Sequence, residues 1–212
     1  MTDIFCIGNA LLDALRRVDG DERLRALHLA KGAMQLIDSE KYAEISQVMD
    51  AVNCEISTGG SAGNVALCSA RLGRKSFFCG KTGEDDKSAI FRSVMCRNGV
   101  TVAPLSCSLP MGVASTFITP DGQRTFATYL GAGATLRAEE LEASWFSGVR
   151  YVFVEGYLVQ DHCLIERAFD LAHAAGAEVC LDLASYNIVA AERDFFAHLL
   201  EKTDILMANE EE

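Results

Sequence analysis

The sequence predicts an α/β protein with a mostly parallel sheet between helices and a small β lid, and three observations predict it. Short apolar runs alternate with longer amphipathic ones, three of the amphipathic runs stop at a glycine, and two regions break that rhythm. A strand, helix, glycine, strand pattern repeated along a chain gives parallel strands joined by right-handed crossovers.

The first strand is expected at residues 3–8. Residues 54–57 read as a short strand leading into a helix at 61–72, and further helices are expected at 85–98 and 160–175. Gly73, Gly99 and Gly176 follow these helices. A glycine there suits the left-handed residue that closes a helix. Strands are expected at 76–80, 151–155, 178–183 and 204–208. The last three are apolar through most of their length, as burial on both faces of a parallel sheet demands.

The two irregular regions supply the lid. Residues 16–37 carry short pieces with Gly20 and Gly32 and no convincing long helix. Residues 111–130 read as two strands, 113–119 and 124–130, joined by Pro120-Asp121-Gly122-Gln123. The Asp-Gly step is a reverse-turn signal. Antiparallel pieces do not belong in a parallel sheet, so segments of about 14–37 and 111–130 are expected to form a lid over one edge of the body.

Bulk properties narrow the function. The 212 residues, half of them apolar and 23% charged, suffice for one sizeable core. A formal charge of -11 argues against nucleic acid as a partner, because phosphate binding needs clustered Lys and Arg. The eight cysteines show no C-x-x-C and no His pair at ligand spacing, and most sit in apolar runs. They are therefore expected to behave as small buried hydrophobes. No signal-peptide pattern opens the chain, and no stretch reaches about 18 apolar residues. A protein outside the membrane, in the reducing cytoplasm, is the expectation.

Three segments carry candidate chemistry. Thr58-Gly59-Gly60-Ser61-Ala62-Gly63-Asn64 opens a helix. Glycines there let backbone approach a ligand, although a plain tight turn has the same composition. Gly8-Asn9-Ala10-Leu11-Leu12-Asp13 ends the first strand, the edge at which open α/β sheets bind ligands. Asn9 and Asp13 could hold neighbouring hydroxyls of a polyol, or merely satisfy a turn. Ala208-Asn209-Glu210-Glu211-Glu212 brings oxygen donors to the same edge. These suit magnesium held partly through water, or else an Asn cap with acids on a helix dipole. Two lures fail. The G-x-G-x-x-G of a dinucleotide site is absent, and Gly80-Lys81-Thr82 lacks the glycine a phosphate loop would need at position 75, where Lys75 stands.

In this order, the three segments resemble the PfkB, or ribokinase-like, family over essentially the whole chain. Gly59 to Asn64 is similar to that family's N-terminal signature, and Asn209 to Glu212 to its N-x-x-E motif. Gly8 to Asp13 resembles the sugar-contacting segment, with the spacing of adenosine kinases. Thr119 to Thr125 and Tyr129-Leu130-Gly131-Ala132 resemble a bacterial adenosine-kinase-like branch.

The resemblance implies a ribokinase-like three-layer α/β/α body with a β lid. It implies transfer of the ATP γ-phosphoryl group to a primary hydroxyl of a sugar or nucleoside, adenosine favoured, with ATP and magnesium (Mg2+) as cofactors. Asn9, Asp13, Gly60 and Asn64 would contact the substrate, and Asn209 and Glu212 would organise magnesium. Arg124 would serve phosphate or the closed lid, and Asp182 either the magnesium network or a helix cap. A homodimer formed through the lid is implied as well. The family's G-A-G-D motif, with its general-base aspartate and the ATP loops beyond, does not occur in these residues. The expectation is a chain cut short, whose 212 residues are inactive while the full-length parent is a kinase. A non-catalytic sugar or nucleoside binder is the alternative, and an NAD-linked oxidoreductase lacks its fingerprint. Phe117, Phe126, Tyr129 and Tyr157 are open between stacking on a base and packing.

Overall fold

The computed structural model describes residues 2–50 and 54–212. In chain order the regular elements are β1 (Ile4–Ile7), β2 (Leu11–Arg17), α1 (Glu22–Ala26), β3 (Met34–Leu36), α2 (Ser39–Asp50) and β4 (Glu55–Gly59). They continue with α3 (Ser61–Arg71), β5 (Ser76–Cys79), α4 (Asp86–Arg97), β6 (Val100–Val102), β7 (Gly112–Ile118) and β8 (Arg124–Tyr129). The last are β9 (Tyr151–Glu155), α5 (His162–Ala174), β10 (Glu178–Asp182), α6 (Tyr186–Ala191), α7 (Arg193–Leu200) and β11 (Ile205–Met207).

The body is a parallel sheet in the order β11-β10-β9-β1-β5-β6. Alternation along its strands builds two cores, since successive side chains leave opposite faces. Phe5, Ile7, Val152, Val154, Val179 and Leu181 pack on one side with α5 and α7. Cys6, Phe78, Phe153 and Cys180 pack on the other with Ala62 and Leu67 of α3 and Phe91 and Met95 of α4. That is the expected three-layer α/β/α body. The helices also close as read: Gly73, Gly99 and Gly176 have φ of 82°, 84° and 73°.

The lid is a second sheet, β3-β8-β7-β2-β4, of mixed direction. Its outer face is covered by α1 and α2, whose Leu24, Ile45 and Met49 pack on Ala14, Val113, Phe117 and Ala127. The Asp121-Gly122 turn joins β7 to β8, with Gly122 N–H donating to Thr119 O at 2.8 Å. The lid is wider than the two segments expected. It takes in β4 (Glu55–Gly59) and starts at Leu11, three residues before 14.

Three expectations are corrected. The segment ending in Asp13 is not a loop at the end of the first strand, because residues 11–17 already form β2 of the lid. Its Leu-Leu-x-Ala-Leu pattern satisfies a strand covered on one face. Residues 204–208 are not buried on both faces. Among the described residues β11 pairs only with β10, and Leu206 and Met207 are exposed. The cysteines do not share one environment: Cys6, Cys79 and Cys180 are buried, but Cys68, Cys96 and Cys163 are exposed on helices. An apolar neighbour in sequence is not a neighbour in space on a helix, where i and i+1 face apart.

Candidate functional site

Strands β1, β9 and β10 end together at the carboxyl edge of the body, and the lid stands over that edge. Between them lies a cleft of about 200 Å³ lined by Asn9, Leu11, Asp13, Met34, Leu36, Ala114, Phe126, Thr128, Leu130, Glu155 and Tyr157. A second cleft of about 370 Å³ shares Asn9, Leu130 and Tyr157 with it and continues past Gly133, Arg137 and Asp161.

Asp13 lies on the inner face of the lid, in register with Ala114, which in turn pairs with Thr128 and that with Leu36. No described residue hydrogen-bonds its carboxylate. On β4, Gly59 leaves the space it needs, since a Cβ there would come within 2.4 Å of Asp13 Oδ1. Burial raises the Asp13 pKa above the ordinary carboxylate value. A desolvated carboxylate with unengaged lone pairs beside an open cleft can accept hydrogen bonds from ligand hydroxyls.

Asn9 is 3% exposed and sits where β1 leaves the body. Its Nδ2 donates to Glu155 Oε1 at 3.1 Å. Glu155, at the end of β9, was not anticipated from the sequence. It is 1% exposed, and its Oε2 accepts from Ala62 N–H at 3.2 Å, tying the N-terminus of α3 to the β1 loop. Burial raises its pKa, and the bonds from Asn9 and Ala62 oppose that rise. The available signal was a lone carboxylate closing an otherwise apolar strand, Tyr-Val-Phe-Val-Glu.

Gly60 has φ of 79°, and a Cβ on it would lie 2.7 Å from Asn9 O, so glycine sets the close approach of α3 to the β1 loop. Gly60 and Asn64 line neither cleft, and Asn64 is exposed one turn into α3. Arg124 shares the inner lid face with Phe126 and Thr128 but lies four residues, about 13 Å, beyond Thr128. It stands at the lid rim rather than beside Asp13. Of the four aromatic candidates, Phe117 is buried behind the lid and Tyr129 stacks on Tyr42 at 4.5 Å. Phe126 and Tyr157 face the cleft.

Asn209 and Glu212 are engaged with each other. Asn209 Nδ2 donates to Glu212 Oε1 at 2.9 Å, and Asn209 Oδ1 accepts from Glu211 and Glu212 N–H at 2.9 and 3.2 Å. That is the reciprocal pattern of a helix cap. Glu212 is near enough to Asp182 and Tyr157 to act on both: burial chiefly raises the pKa of each, Glu212 adds a smaller rise, and bonds from Ala184 and Ser61 to Asp182 and from Ser185 to Tyr157 oppose it. Among the described residues no group of three His, Cys, Asp or Glu is arranged to chelate a metal directly. The donors here are all oxygen, which fits a magnesium ion that keeps most of its waters.

A lid thus stands over the carboxyl edge of a doubly covered parallel sheet, carrying on its inner face a carboxylate that no described residue hydrogen-bonds, above a buried amide, which is an α/β body with a covered cleft. The chain belongs to the pfkB family of carbohydrate kinases, whose model matches residues 1–212. An adenosine kinase from Sinorhizobium meliloti superposes with a TM-score of 0.89 at 31% identity, over 99% of this chain and 65% of that one. Aminoimidazole riboside kinase from Salmonella typhimurium is 37% identical over 97 residues, 42% of this chain and 30% of that protein. Probable fructokinase-4 from Arabidopsis thaliana is 29% identical over 166 residues, 74% of this chain and 50% of that protein. The chain thus spans half or less of these two curated relatives.

Proposed function

We propose that these residues form the substrate-gripping part of an ATP-dependent kinase that phosphorylates a primary hydroxyl of a sugar or nucleoside, with adenosine favoured. The observation that carries the reading is the Asp13 carboxylate, without a hydrogen-bond partner among the described residues and held on the inner lid face above the cleft that Asn9 walls. An acceptor-only group there holds adjacent hydroxyls and fixes the sugar. Gly60 and Asn64 would join the substrate only from outside the two clefts, Gly60 by holding the N-terminal turn of α3 against Asn9.

The two neighbouring clefts, which share Asn9, Leu130 and Tyr157, support a ligand of two parts, a sugar under the lid and a base beyond Asn9. Tyr157, which lines both clefts, and Phe126, which lines the first, supply apolar walls. Asn209 and Glu212 would hold magnesium through water, with Asp182 beside them. Magnesium, when bound, neutralises the phosphate oxygens of ATP. Arg124 serves the lid rim. Asp13 grips and does not take the hydroxyl proton, and these 212 residues hold no G-A-G-D segment to supply that base. Phosphoryl transfer depends on positioning around an in-line attack, so the 212 residues alone should bind without turnover. Exposed Met34 and Leu36 at the lid edge support a homodimer through the lid. No helix among the described residues is long and apolar enough to cross a membrane.

Calorimetric titration of the chain with adenosine, ribose and fructose tests the reading. Adenosine should bind tightest, and Asp13→Asn should weaken it by about 10- to 100-fold, the worth of hydrogen bonds to a charged group. Equal binding by the variant would remove Asp13 from the site. The rival, a non-catalytic binder, predicts binding indifferent to magnesium and no turnover by the protein read from its complete reading frame.

A further inference from the structure

We propose that Glu155 sets the hydrogen-bond polarity of Asn9, holding the amide nitrogen inward so that the carbonyl oxygen is the face offered to the cleft. An ionised carboxylate has only acceptors. Both Glu155 oxygens are committed: Oε1 to Asn9 Nδ2 at 3.1 Å and to Asn9 N–H at 3.5 Å, Oε2 to Ala62 N–H at 3.2 Å. Rotating the Asn9 amide by half a turn would set its oxygen against Glu155 Oε1, two buried acceptors without a proton between them. Such a pair is what native interiors avoid. The two ends of an amide look alike, and the pair of Glu155 oxygens, each already facing an N–H of Asn9 or Ala62, tells them apart here.

The remaining end has no partner of its own. Asn9 Oδ1 lies toward Gly133, where a Cβ would stand 3.2 Å away, and no described residue donates to it. Asn9 lines both clefts. The carboxylate is admitted because residue 8 is glycine, whose Cβ would sit 2.4 Å from Glu155 Oε2. Glu155 is therefore a positioning residue, acting through Asn9.

A consequence for the ligand follows and rests on the function proposed above. Asn9 Oδ1 and the Asp13 carboxylate are both acceptors, so the cleft selects a ligand that donates at two points. Free hydroxyls satisfy this and methyl ethers do not.

The test exchanges the two functional groups. In Glu155→Gln the new amide can keep its oxygen toward Ala62 N–H and turn its nitrogen to Asn9, which must then rotate to accept and present Nδ2 to the cleft. Adenosine and fructose should bind at least about tenfold more weakly. Asn9→Asp sets two carboxylates face to face and should also lose binding. The double variant E155Q/N9D restores a donor facing inward and an oxygen facing the cleft, and should recover most of the lost affinity. Undiminished binding by E155Q, or a double variant no better than both singles, overturns the proposal.

A second measurement needs neither ligand nor variant. By ¹⁵N-resolved nuclear Overhauser spectroscopy of the unmodified chain, the Asn9 side-chain amide protons should lie on the Glu155 and Ala62 side and show no contact with the Gly133 Hα protons. Contacts to Gly133 instead overturn the proposed polarity even if the variants fail to fold. The predicted contacts in a chain that binds neither probe support the polarity and sink the kinase reading instead.

Discussion

Asp13 and Glu155 are costly residues for the fold. Each is a carboxylate whose pKa burial raises, so burial penalises the ionised form in the folded state. For Asp13 the sign is definite. Its protonation contributes stability that is fully present below the unfolded pKa and is lost as pH rises through the raised folded pKa. Asp13→Asn should therefore raise the melting temperature at pH 7 and lose that advantage in acid, measured by thermal unfolding across pH 3–8. A variant less stable than the parent at pH 7 would mean that the carboxylate has a stabilising partner. Asn9 and Asp13 were legible in the sequence because polar residues in an apolar run stand out. Glu155 was not, because its partners Asn9 and Ala62 are 146 and 93 positions away and only the sheet order brings them together.

Helix α4 ties the body to the lid through its cap. Asp85 Oδ1 accepts from Ser88 N–H at 2.9 Å, and Oδ2 from Met111 N–H at 3.0 Å, one residue before β7 begins. Burial pushes the Asp85 pKa up, but the bonds from Ser88 and Met111 outweigh it and leave the pKa lowered. Asp85→Ala should cost about 1–2 kcal/mol, as loss of a helix N-cap does. Because the folded pKa is depressed, this stability is present above the unfolded pKa and is lost as pH falls through the folded one, so variant and parent should converge in acid. At Gly60 the constraint is steric. Gly60→Ala must hold φ near 79° with a Cβ 2.7 Å from Asn9 O, and should lose about 1–3 kcal/mol together with ligand affinity. Chemical denaturation reads both variants. Helix ends and the Asp121-Gly122 turn were legible because their chemistry is local. Strand β2 was not. Its residues 11–17 share the three-strand register of β4, β2 and β7, which no local signal records.

At the scale of the molecule, the two cores separate stability from binding. Phe91 of α4 is fully buried against Phe78 of β5, their ring centroids 5.4 Å apart, and lines neither cleft. Phe91→Ala should cost about 3–5 kcal/mol while the folded fraction binds as before. The three-layer body was legible because period-two burial on β1, β9 and β10 feeds two faces at once. The exposure of β11 was not, since an apolar strand reads the same at an edge as in the middle.

The central claim, that these residues are the gripping part of a sugar or nucleoside kinase, is tested most directly by ATP-dependent phosphorylation. Adenosine, ribose and fructose would each be assayed with magnesium, using the protein read from its complete reading frame and the 212 residues in parallel. The account predicts turnover by the former, fastest with adenosine, and binding without turnover by the latter. No turnover of any acceptor by the complete protein, or turnover undiminished by Asp13→Asn, would contradict it.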